Sequence, residues 1–169
     1  MLVKPVKISD EFFGDMFGDM FMDMCREESV GGWSGYLPEP GGIYHLMEKT
    51  RGETEQKDRI GAVKALGDSG DPRVVLTLVD CCSDEDAEIR RHATEGLYKL
   101  KSGRAVHALI GRMKDKAEQP VTRQCAAAAL AAIRTYSAIE GLKDRFSDAD
   151  EDPFIRSYVA RVMDLTRIW

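Results

Sequence analysis

An arginine returns at positions 59, 90, 123 and 156, at intervals of 31, 33 and 33 residues, and what stands behind it returns too. Three positions on are Ala62, Ala93, Ala126 and Val159, and seven on are Leu66, Leu97, Leu130 and Met163. In the three complete copies Val75, Val106 and Ile139 follow, then Leu78, Leu109 and Leu142, then Cys82, Met113 and Phe146. Asp84, Asp115 or Asp148 closes each copy. Each copy therefore holds two apolar stripes at helical spacing. Short breakers divide the stripes: GDSGDP at 67–72, KSG at 101–103 and TYS at 135–137. The joins DEDAEIR, AEQPVTR and DEDPFIR put Asp or Pro where a helix starts. One antiparallel pair cannot bury its apolar face alone, so the period predicts an all-α solenoid of stacked helix pairs.

The pattern R..A..AL followed by GDP..V..L resembles HEAT repeats, in particular the short HEAT-like repeats first associated with phycobilisome (PBS) lyases. RIGAVKALGDSGDPRVVLTLVDCCSD, residues 59–84, carries it most fully. The resemblance covers 58–169, divided into units 58–86, 87–117, 118–150 and a partial unit 151–169. It implies an α-solenoid wound as a right-handed superhelix. Among proteins of this type, deoxyhypusine hydroxylases hold two irons with paired His-Glu motifs. Here His45, His92 and His107 precede Leu46, Ala93 and Ala108, so those pairs are missing. The HEAT-like DNA glycosylases use a basic groove with Trp and Asp. This repeat region has equal numbers of basic and acidic groups, and its single Trp is Trp169. The bilin lyases position a tetrapyrrole for attachment to a protein cysteine without a sharp acid–base motif, and no residue here demands that ligand. No cofactor and no metal are expected.

Residues 1–57 differ in character: six basic groups stand against eleven acidic ones, which accounts for the net charge of −5. This region reads as an acidic N-terminal extension. Its parts are an amphipathic helix over 9–28, a Gly/Pro/aromatic loop over 29–42 and a helix over 43–50, the last aligning with the second helix of a degenerate first repeat. In EFFGDMFGDMFMDM, residues 11–24, Phe12, Met16, Met20 and Met24 form one stripe, Phe13, Phe17 and Phe21 a second, and Asp15, Asp19 and Asp23 a third. The apolar face has three readings: a soft-metal site of thioethers, a cap on the solenoid, or a docking helix with Trp33 and Tyr36 in the loop behind it.

No apolar run approaches membrane-spanning length and no signal sequence is legible, so a soluble, cytoplasmic protein is expected. Four cysteines without a C-x-x-C pair read as free thiols, Cys82 in the core and Cys81 nearer the surface. Partners of a solenoid bind the groove lined by its second helices. The residues expected to face outward there are Arg73, Leu76 and Asp80, then Arg104, His107 and Gly111, then Ser137, Glu140 and Asp144. Val159, Val162, Met163 and Trp169 lack a following helix, so they either pack back on the preceding unit or meet another chain. These features predict a non-catalytic protein-binding module, an adaptor or accessory subunit. Its partner would be a protein or a second copy in a homodimer, with neither nucleic acid nor membrane. The alternative is a lyase-like or chaperone-like factor that assists cofactor loading or modification of a client protein.

Overall fold

The computed structural model describes residues 40–51 and 55–168, all within one compact unit spanning 37–169. The expected helix over 9–28 lies outside the described residues, with Phe12, Phe13, Met16, Phe17, Met20, Phe21, Trp33 and Tyr36, as does Trp169. Among the described residues the chain is helical with no strand. Helix α1 (Pro40–Arg51) is followed by α2 (Gln56–Asp68), α3 (Val75–Cys81), α4 (Ala87–Leu100) and α5 (Val106–Lys114). Then come α6 (Pro120–Ile133), α7 (Tyr136–Ser147) and α8 (Pro153–Thr166). The first helices of the units, α2, α4, α6 and α8, stack side by side, while α3, α5 and α7 form the second row. The arrangement is an α-solenoid of HEAT-like helix pairs. Helix α1 packs on α2 and touches α3, in the place of a second helix preceding the first full unit.

Local chemistry sets the boundaries. The side chains of Asp86 and Asp152 accept the first free amides of α4 and α8, and proline opens α6 and α8. Each first helix is followed within two residues by a left-handed one: Gly70, Lys101, Arg134 and Arg167, with φ of 66°, 49°, 58° and 54°, Gly70 standing one place beyond the right-handed cap Ser69. Only the first is the glycine that this conformation favours.

The repeated apolar columns make the core. Ala62, Ala93, Ala126 and Val159 are buried, as are Leu66, Leu97, Leu130 and Met163. In α6 small side chains leave nearly every position buried between α4 and α8. Val159, Val162 and Met163 pack back against the preceding unit. The third unit departs from the expected pattern. Ile139 is only half-buried and Phe146 is exposed, while Ala138, Leu142 and Arg145 turn inward. The first two units enter their second helix through a 3-10 turn, Pro72–Val74 or Gly103–Ala105, and the third does not. A 3-10 turn winds about 20° further per residue than an α-helix, so omitting it rotates the inward stripe of α7.

In the first-helix stack Gly67 lies against Gly96, where a Cβ on either would lie 2.8 Å from the other's Cα. The obstacle is backbone, which cannot rotate away. Gly96→Ala should therefore cost about 1–3 kcal/mol in urea denaturation. Gly61→Ala, in α2 with no atom within 4 Å of a new Cβ, should instead gain about 0.5–1 kcal/mol.

Candidate functional site

The residues expected along the outer face of the second helices all emerge into solvent: Arg73, Leu76, Asp80, Arg104, His107, Gly111, Ser137, Glu140 and Asp144. Leu76 is 51% exposed although flanked by charge. Arg73 lies 5.7 Å from the Tyr44 ring centroid, and the Asp71 carboxylate beside it holds its proton more tightly. Asp80 faces Arg51 of α1 at 3.6 Å, so α1 lines this face together with α3. Farther along, Lys114 bridges to Asp144 at 2.5 Å, which lowers the Asp144 pKa, and Lys143 reaches Glu140 at 3.6 Å. Arg104 and His107 have no carboxylate partner among the described residues. The face is a row of exchangeable surface pairs with a single apolar side chain, and surface pairs of this kind contribute little to stability.

The joints between units hold the strongest electrostatics. Glu118, whose side chain has 0% exposure, accepts from Arg90 Nε at 2.6 Å and from Arg112 Nη1 at 3.0 Å. One unit later Glu151, also 0% exposed, accepts from Arg123 at 2.6 Å and lies 3.0 Å from Arg145. Burial raises both carboxyls, but bonds from arginine and from the next backbone amide outweigh it, so both pKa values fall below the usual range. The first joint breaks this pattern. Counting back five residues from each following arginine gives Glu85, Glu118 and Glu151, yet Glu85 is exposed. Arg59 pairs with Asp84 instead, and its Nε has no partner among the described residues. Cys81 occupies the column of Arg112 and Arg145.

Cys81 was expected near the surface but is buried, 6% exposed, because its column points between the units. It borders a recess of about 100 Å³ formed with Thr50, Arg51, Thr77, Asp80 and Asp84. Burial pushes its pKa up to about 11, so it is a neutral thiol at physiological pH. Cys82 lies in the core as expected, with its pKa pushed up to about 12 by burial. Paired His-Glu iron motifs are not assembled. His92 Nδ1 meets Glu95 within α4 at 2.9 Å, and no group of three His, Cys, Asp or Glu among the described residues could hold a metal. No helix among them is long and apolar enough to cross a membrane.

With this geometry in view, the comparisons with known proteins agree on architecture. A family model described as HEAT repeats matches residues 43–122, beginning inside α1. The solved structure of human deoxyhypusine hydroxylase in complex with glycerol superposes with a TM-score of 0.67 at 22% identity. The match covers 88% of this chain and 53% of that one, so the chain spans about half the length of the hydroxylase. No curated protein sequence matches the chain significantly. These findings correct one expectation. The repeats were read as a non-catalytic adaptor, but the same architecture is found in an enzyme, so a solenoid without a legible acid–base motif does not define a non-catalytic protein.

The sequence reading missed the joint carboxylates. Their signal is a column aligned on the following arginine, which the count forward from the preceding one hides because the first joint is two residues shorter. Replacing Glu118 by Ala leaves Arg90 only the Asp84 and Glu85 carbonyls and Arg112 only Asp115, and should lower unfolding free energy by roughly 2–4 kcal/mol in urea at pH 7. The aligned Glu85→Ala should change it by under about 0.5 kcal/mol. Because Glu118 and Glu151 have lowered folded pKa values, their stabilisation is complete above the ordinary value of 4.5 and is lost as pH falls through the folded values. The urea midpoint of the wild type should therefore drop below pH 4.5, and Glu118→Gln should flatten that drop.

Proposed function

We propose that this chain serves as the client-holding body of an enzyme activity that covalently modifies a protein, with the client segment lying along the second helices. The observation that carries this reading is the set of exposed positions from Arg73 to Asp144 on α3, α5, α7 and the 3-10 turns that lead into the first two. A row of rigid helices presenting hydrogen-bonding groups suits an extended peptide, whose own polar groups must be satisfied on binding. The fold shared with a HEAT-repeat hydroxylase supports a catalytic setting, and the resemblance to lyase-type HEAT repeats supports client modification in particular. The free thiols Cys81 and Cys82 support a reducing, cytoplasmic compartment. The described residues bring together no group of three His, Cys, Asp or Glu that could hold a metal. Within this proposal they bind and align the client: Leu76 provides apolar contact, and Arg104, His107 and Glu140 provide hydrogen bonds.

The test is a peptide-mass comparison of the native proteome with and without this chain. A modified peptide should disappear when the chain is deleted. It should return with the wild-type chain, and return at less than a tenth of that level with the Leu76→Asp/His107→Asp variant. An unchanged set of modified peptides after deletion overturns the proposal.

A further inference from the structure

The turns inside each unit form a second surface, distinct from the second-helix face. Adjacent turns touch: Lys99 bridges to Asp68, a Cβ on Gly103 would meet Thr135 at 3.6 Å, and the Arg134 guanidinium donates to the Thr166 carbonyl. From the second unit onward this edge is cationic. Lys101, Arg134 and Arg167 recur at 33-residue intervals, all exposed, on the left-handed residue that closes each first helix. Arg104 stands beside Lys101, also exposed. The segments 99–104, 133–137 and 166–168 contain no Asp or Glu, and no described carboxylate pairs with Lys101, Arg104, Arg134 or Arg167. The opposite edge, made by the joints, is acidic: Asp84, Glu85 and Asp86 in one, Asp148, Asp150 and Asp152 in another.

A cation at a helix C-terminus is favoured by the helix dipole, which accounts for one charge per cap. It does not account for Arg104, which sits in the first turn leading into α5, where the dipole disfavours a cation. Tyr136, 80% exposed, projects beside Arg134 and adds the kind of aromatic enriched in interfaces. The rungs repeat with the helix stack, about 10 Å apart. Duplex nucleic acid presents a charge about every 1.7 Å, far denser than these rungs, and the acidic edge would repel it. An α-helix with a carboxylate every seventh residue repeats at about 10.5 Å, which matches.

We propose that this basic edge is a docking surface for an acidic helical segment of another protein, one carboxylate per repeat engaging Lys101, Arg134 and Arg167. The edge meets the client-binding row at Arg104, but the three residues that engage the carboxylates lie outside that row.

The test uses fluorescence anisotropy at low salt with three labelled probes: a helical peptide bearing Glu at every seventh position, a peptide of the same composition with the Glu residues clustered, and an oligonucleotide of equal net charge. The spaced peptide should bind at least tenfold more tightly than the other two, and raising salt from 20 to 200 mM should weaken it. Asparagine tolerates the left-handed conformation, so Lys101→Asn/Arg167→Asn should keep the fold while weakening the spaced peptide at least tenfold. Adding Arg134→Asn should weaken it further. Asp84→Asn/Asp150→Asn, on the acidic edge, should leave it unchanged. Preference for the oligonucleotide, equal binding of both peptides, no binding of the spaced peptide, or unaltered binding by the asparagine variant would each overturn the proposal.

Discussion

Glu118 and Glu151 have no exposed side-chain surface, and each is held between two guanidinium groups that come from both helices of one unit. Burying such a charge is costly unless its partners are placed well, so the cluster tolerates little displacement of the helices that carry it. Each carboxylate lies in the chain that leads into the next unit. One contact therefore fixes the angle between the two helices of a unit and the entry of the following one. The apolar columns supply the bulk of the burial, but hydrophobic attraction is non-directional. The ionic joints give the stack a defined register, and both are separated by the same 33 residues that separate their arginines.

The first joint shows what happens when this device is absent. It is two residues shorter, Cys81 stands where the second guanidinium would be, and Glu85 remains in solvent. Arg59 pairs with Asp84 there and Gln56 donates to Asp86, but neither pair fills the place of the missing guanidinium, and a recess remains beside Cys81. Close packing compensates instead. Gly67 and Gly96 bring α2 and α4 nearer than side chains would allow, and α1 adds a further layer against α2. The solenoid is thus held by tight backbone contact at one end and by buried charge farther along.

The fold was legible because hydrophobic periodicity is written at every repeat: the columns of Ala62 and Leu66 could be read down the page without knowing any partner. The exposed row from Arg73 to Asp144 followed from the same helical phase, since fixing the inward stripe fixes its opposite. The joints were less legible because a carboxylate in DED or AEQ looks the same in sequence whether it is solvated or buried. Only its partners on two other helices decide, and those are set by packing. Phe146 and Ile139 misled for a related reason. Their columns assume that each second helix begins alike, and the missing 3-10 turn before α7 changes its phase.

The same distinction bears on function. A repeat fold distributes its residues into columns, and a column can be structural in one unit and functional in another. Arginines sunk into the joints, such as Arg123 at 5% side-chain exposure, are committed to carboxylates and a backbone carbonyl. The cations at the opposite edge recur with nearly the same period but remain in water. Residue type and spacing are alike in the two sets, and burial separates them. The buried set accounts for the register of the stack, and the exposed set is the one on which the proposed docking surface rests. In the histidines the contrast is different: His45, His92 and His107 fall in no common column, and repetition therefore places no convergent imidazole cluster on either row. In the proposed function the client meets the chain at rows of exposed polar groups, where geometry does the selecting.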